Sequence, residues 1–319
     1  MFFNLAPHVL YVKPLIIDTD TASDDAIALL MALKSGEVKV DAITVVCGNV
    51  DFNTHVRNAL YVVERFSDYD IPVYPGCKKP LALRSWSHAY DVHGRDGMGN
   101  SFFPEPGKKP EEKHAAYALV ELINSRPGEY TLVALGPLTN IAVATCIDPE
   151  LPSKIKELIV MGGSPSMRGN ITPVAEFNWW VDPEAVHVIL QSGFNPLIIG
   201  WDLTLEAGAI SFEEREALAA LGTEEASFFK QVTSQLLEYS SRQGLGRIFL
   251  PDPLAMAVAL EGEVAKRVED RLLYIDRSDT IMRGSSVPFT KGQPNARICV
   301  EADNLLFKDL LRKTLAPEK

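Results

Sequence analysis

The chain has 319 residues, a formal net charge of -11 and an isoelectric point near 5.1, with 46% hydrophobic and 8% aromatic residues. A chain this long and apolar can bury a large core without disulfides or an obligate partner, and no Pro/Gly/Ser-rich linker divides it, so residues 1–319 are expected to form one domain. The acidic balance argues against nucleic acid as a partner, because phosphate binding needs a basic face, and no run of about eighteen apolar residues is present to cross a membrane.

Cys47, Cys77, Cys146 and Cys299 lie far apart without a CxxC pair, which points to buried thiols in a reducing compartment rather than to disulfides or zinc. Residues 1–14 are mildly apolar but lack a basic start and a small-residue cleavage signal, so a secretory leader is not expected and the location implied is cytoplasmic.

In chain order, the apolar run 15–17 leads into Asp18, and Asp24 and Asp25 precede the apolar stretch 26–33, opening a helix whose N-terminus favours negative charge. The run 42–46 leads into Gly48 and Asn49. Residues 86–107 are long, rich in Gly and His and without apolar periodicity, which predicts either disorder or a site wall. The runs 130–135, 158–161 and 197–199 then lead into Gly136, into Gly162 and Gly163, and into Trp201 and Asp202. Between the last two lies the irregular polar stretch 168–178. Asp252 before Pro253 reads as an N-cap opening the helix 254–260, and 304–314 carries a helical apolar pattern.

Short β-branched runs alternating with helical patterns predict an α/β fold with an open, largely parallel, Rossmann-like sheet flanked by helices. Ligands of such sheets bind outside the carboxyl ends of the strands, where these runs deliver their acids, amides and glycines.

The segment Asp18-Thr19-Asp20-Thr21-Ala22-Ser23-Asp24-Asp25 places four carboxylates within eight residues directly after a buried strand. Crowded like charges repel unless protons or a cation intervene. Their hard oxygens, with no neighbouring Cys or His run, suit calcium or magnesium, and calcium fits better if carbonyls and further acids join. Any single acid reads equally well as a backbone partner or a helix cap.

DTDxxxDD after an amino-terminal strand resembles the signature of the inosine-uridine-preferring nucleoside hydrolase family. Val46-Cys47-Gly48-Asn49, Leu135-Gly136-Pro137-Leu138-Thr139-Asn140, Met161-Gly162-Gly163, Ala175-Glu176-Phe177-Asn178 and Asp252-Pro253 resemble its later motifs in the family's order, over residues 15–260. The resemblance implies the nucleoside hydrolase fold and hydrolysis of the N-glycosidic bond of a ribonucleoside. It implies calcium held by Asp20, Asp25, the Leu135 carbonyl and Asp252, with Asp20 as general base. It also implies that Asp24, Asn49, Asn170, Glu176 and Asn178 grip the ribose beside Met161, and that the chain forms a homodimer or homotetramer. Glu176 and Asn178, two apart in extended chain, would share one face; Trp179 and Trp180 would face opposite ways in extended chain, at least one of them into the core.

One departure stands out. Many family members carry His immediately before the aspartate that is Asp252 here, and this chain has Pro251. Candidates for the nucleobase side are Trp86, His88 and His93 in the Gly-rich loop, with Tyr90 as a further stacking ring, and Tyr239 or Arg242 on the helical stretch ending near Ser241. Two alternatives stay open: a calcium- or ribose-binding protein that has lost catalysis, and a haloacid dehalogenase-type phosphotransferase, which Asp18-Thr19-Asp20 fits but which leaves Asp24-Asp25 unexplained.

Overall fold

A computed structural model describes residues 12–316; the leader reading for residues 1–14 falls almost wholly outside them. Eleven strands are present among these residues: β1 Lys13–Thr19, β2 Val38–Val45, β3 Val73–Pro75, β4 Thr131–Ala134, β5 Glu157–Met161, β6 Leu197–Ile199, β7 Ala209–Ser211, β8 Arg247–Phe249, β9 Ala265–Ile275, β10 Ser286–Phe289 and β11 Ala296–Ala302. Nine form one sheet in the order β10-β9-β11-β6-β5-β4-β1-β2-β3, and β7 pairs with β8 separately. From β11 through β6 to β3 every pairing is parallel, while β9 runs antiparallel to β11 and β10.

Parallel strands are covered on both faces, so they read as continuous apolar runs. Leu15 and Ile17 point into one core layer and Ile16 into the other, as the two-residue period requires. Strand order reverses between β1 and β4, and the crevice there opens at their carboxyl ends, where ligands of open α/β sheets bind.

Two helices beside this crevice are apolar around nearly their whole circumference, so both must be buried. The first, Ser23–Lys34, is buried from Ser23 to Ala32; the second, Pro251–Leu260, is buried from Asp252 to Leu260 and packs against the first. Their first turns meet, bringing Asp24 and Asp25 to Asp252.

Several expectations need correction. Asp252 is not an N-cap: the helix starts at Pro251, whose fixed φ suits a first helical position, so Asp252 sits inside the first turn. Glu176 and Asn178 do not lie in extended chain. Glu176 caps the helix Phe177–Val181, accepting from the Asn178 and Trp179 N–H groups, and Asn178 is inside it. Trp179 is buried and Trp180 half-buried, on a helix rather than a strand. Segment 86–107 includes a short helix, Tyr90–His93, and the buried Asp96 carboxylate gathers the Met98, Asn100 and Phe102 N–H groups. All four cysteines are free, but Cys146 is exposed and Cys77 only half-buried. No helix among the described residues is long and apolar enough to cross a membrane.

Candidate functional site

The chain leaves β1 at Thr19 and turns through Asp20 toward the buried helix. Asp20 Oδ2 accepts from the Asn49 N–H at 2.8 Å, whereas Oδ1 is buried without a partner. Asp25 closes the helix's first turn: Oδ1 accepts from the Thr19 hydroxyl at 2.6 Å and Oδ2 from the Ala22 N–H at 3.0 Å. Asp24 Oδ1 is also buried without a partner, with His93 Nδ1 3.6 Å away. One carboxylate oxygen each of Asp24, Asp25 and Asp252 lies within 4.8 Å of the others.

Such crowding out of water disfavours ionisation. Burial, then repulsion from Asp25, pushes Asp20 well above the usual carboxylate range, and burial, then Asp24, Asp25 and Asp20, does the same to Asp252. Burial carries Asp24 and Asp25 to about 6, Asp24's charge adding to the effect at Asp25. Asp18 lies one layer deeper, held by Thr44 and Asn140, and burial raises it to about 7.

Across the crevice, Asn178 Nδ2 donates to the Leu135 carbonyl at 2.8 Å and approaches the Met161 sulfur at 3.4 Å. Glu176 Oε2 also accepts from the Gly163 N–H at 2.8 Å, and burial pushes this acid up to about 7. Asn170 Oδ1 accepts from the Phe177 N–H, which folds the irregular 168–178 stretch onto the same rim.

These groups border one cavity of about 330 Å³. Asp24, Asn49, Leu135, Met161, Asn170, Glu176, Asn178 and Asp252 all line it; Asp20 and Asp25 lie beneath its floor. Of the nucleobase-side candidates, His88, His93 and Tyr239 line the cavity. Trp86 and Arg242 do not line it: the Trp86 indole donates to the Gly48 carbonyl, and the exposed Arg242 reaches the Asp91 carbonyl at 3.5 Å. Tyr90 is exposed and packs near the His88 ring.

A profile of the inosine-uridine preferring nucleoside hydrolases matches residues 15–309, nearly the whole chain. The chain belongs to that family. It is accordingly a hydrolase acting on N-glycosyl bonds. Among its relatives, a pyrimidine-specific ribonucleoside hydrolase RihA of Salmonella arizonae is 36% identical over 308 residues, covering 95% of this chain and 98% of its own. The plant nucleoside hydrolase PpNRh1 superposes with a TM-score of 0.91 at 31% identity, over 96% of this chain and 99% of that one. A purine-preferring ribonucleoside hydrolase from Gardnerella vaginalis gives 0.89 at 27% identity, over 95% and 98%.

This nucleoside hydrolase also has cavity residues that the sequence reading leaves without a role, chiefly Trp201, Phe249, Phe177, Leu236 and Ser240. Trp201 has a legible signal, since it directly follows a strand that delivers residues to the site. Phe249 and Leu236 carry none, because apolar residues in a helix or short strand read as core.

Proposed function

We propose that the chain is a calcium-dependent ribonucleoside hydrolase releasing ribose and a free nucleobase, acting as a homodimer or homotetramer. The observation that carries this reading is the floor of the cavity, where three buried carboxylates converge beside a wall of amides and a further acid. The unpartnered Oδ1 atoms of Asp20 and Asp24 and the all-oxygen donor set fit calcium, which takes six to eight oxygen ligands. Asp20, Asp25, Asp252 and the Leu135 carbonyl would hold the ion, and Asp24 is placed to join them. When bound, calcium supplies positive charge that keeps the cluster ionised and polarises the oxygens it holds.

Asp24, Asn49, Asn170, Glu176 and Asn178 grip the sugar hydroxyls, the amides donating and the carboxylates accepting, with the Met161 thioether against the ring. Asp20 takes the proton of the attacking water as general base. Cleavage passes through an oxocarbenium-like sugar cation, and the surrounding carboxylates, already in place, stabilise that charge without reorganisation. On the departing side Pro251 offers no proton; of the groups singled out in the sequence, His88, His93 and Tyr239 line the cavity, and burial pushes His93 down to about 4, which favours His88 or Tyr239 as the donor.

Ribose release from a panel of purine and pyrimidine ribonucleosides, with calcium or with chelator, tests this reading. Wild type is expected to release ribose only with calcium and Asp20→Ala to lose at least about a hundredfold, the usual scale for a general base; undiminished release by Asp20→Ala would remove Asp20 from that role.

A further inference from the structure

Besides the carboxylates and amides already described, the cavity is lined by Trp201 and Phe249, together with Tyr239, Leu245 and Pro251. Trp201 and Phe249 are both half-buried, so each keeps ring surface toward the cavity rather than vanishing into the core. Their centroids are 5.5 Å apart at an interplanar angle of 60°, an edge-to-face contact that occupies one face of only one of the two rings.

The Trp201 backbone is also held rigidly relative to the sugar-binding groups. It opens the helix Trp201–Ala207 directly after β6, and its N–H donates to the Gly163 carbonyl at 2.8 Å. The N–H of that same Gly163 donates to Glu176, so one residue ties the Trp201 backbone to the sugar grip. Next along, Asp202 Oδ2 accepts from the Ser166 N–H at 2.9 Å and pins the loop. A flat apolar platform in one cavity with hydroxyl-binding groups is suited to a flat heteroaromatic group attached to a sugar.

We propose that Trp201 is the nucleobase platform of this enzyme, stacking on the base of the bound nucleoside and favouring purines, whose larger ring offers more stacking area, with Phe249 holding the indole in place. This rests on the hydrolase reading above. Stacking on an aromatic side chain favours every base, by roughly five- to 150-fold in affinity, so the platform sets affinity while selectivity arises from ring size.

The test compares calcium-loaded wild type, Trp201→Leu and Trp201→Phe in ribose release from inosine and uridine, with inhibition by free ribose measured alongside. Trp201→Leu is expected to raise KM for inosine about tenfold or more, and for uridine less, with ribose inhibition unchanged; Trp201→Phe is expected to restore most of the loss. An unchanged KM for inosine, or equal weakening of inosine and ribose, would overturn the assignment. Should wild type hydrolyse neither nucleoside, the hydrolase reading fails, and the platform is then read from quenching of indole emission by free hypoxanthine. Quenching lost in Trp201→Leu supports it; quenching unchanged in Trp201→Leu overturns it.

Discussion

Asp20 is enclosed by two residues that have no side chain. A Cβ at Gly48 would lie 1.9 Å from Asp20 Oδ2, and one at Gly136 would lie 2.6 Å from Oδ1, so both loops approach this carboxylate as closely as backbone can. Gly48→Ala must therefore displace Asp20 or the loop; overpacking of this kind costs about 1–3 kcal/mol. We expect a lower urea midpoint together with a fall in kcat/KM of at least about tenfold, since small misplacements at a reacting centre cost that much or more. Full retention of both would show that the cradle is not needed. Glu176 makes a second test at this scale. Burial lifts it to about 7, above its value in the unfolded chain. Its folded site therefore favours the protonated acid, and the stability that gives is complete below the unfolded value near 4.3 and is lost as pH rises through about 7. Between pH 4.5 and 8 the metal-free wild type should lose on the order of 3 kcal/mol of unfolding free energy that Glu176→Gln retains. Parallel profiles for the two proteins would contradict this.

At the scale of elements, the site depends on the docking of two segments distant in sequence. Segment 86–107 is latched to the helix Ser234–Arg242: Gln235 Nε2 donates to the Asp91 carbonyl at 3.1 Å, Asn100 Nδ2 donates to Gln235 Oε1 at 2.9 Å, and the Ser234 hydroxyl donates to the Gly99 carbonyl at 2.6 Å. Gln235→Ala removes two of these bonds, and loops latched by few contacts open at low free energy. Faster hydrogen exchange across residues 89–100 and a KM raised severalfold, with kcat little changed, are expected; unchanged exchange would show that the latch lies elsewhere. Much of this arrangement is legible in the sequence. The parallel strands betray themselves because both faces are buried, and Asp18-Thr19-Asp20 marks the carboxyl end of the first. The antiparallel addition is not legible: the first half of β9 is rich in charge and the strand is mostly exposed or half-buried, so its short apolar stretch, 272–275, does not read as a buried parallel strand. Nor is the position of Asp252, because two prolines flank it and only the folded chain decides which one starts the helix. The Glu176 cap is hidden for a similar reason, since a five-residue helix is too short to leave a periodic pattern.

For the whole molecule, the crevice between β1 and β4 gathers carboxylates from both ends of the chain, so folding forces together charges that would otherwise stay apart. A divalent cation relieves that repulsion in the folded state alone, and ligands bound only to the folded state raise its stability by mass action. Activity and metal content should therefore follow one another. Chelator-treated protein titrated with calcium, with bound ion and ribose release measured in the same samples, tests this most directly. Ribose release should rise in step with one ion bound per chain, and both should be lost in Asp252→Asn; full ribose release from protein carrying no divalent ion would contradict a metal-dependent site.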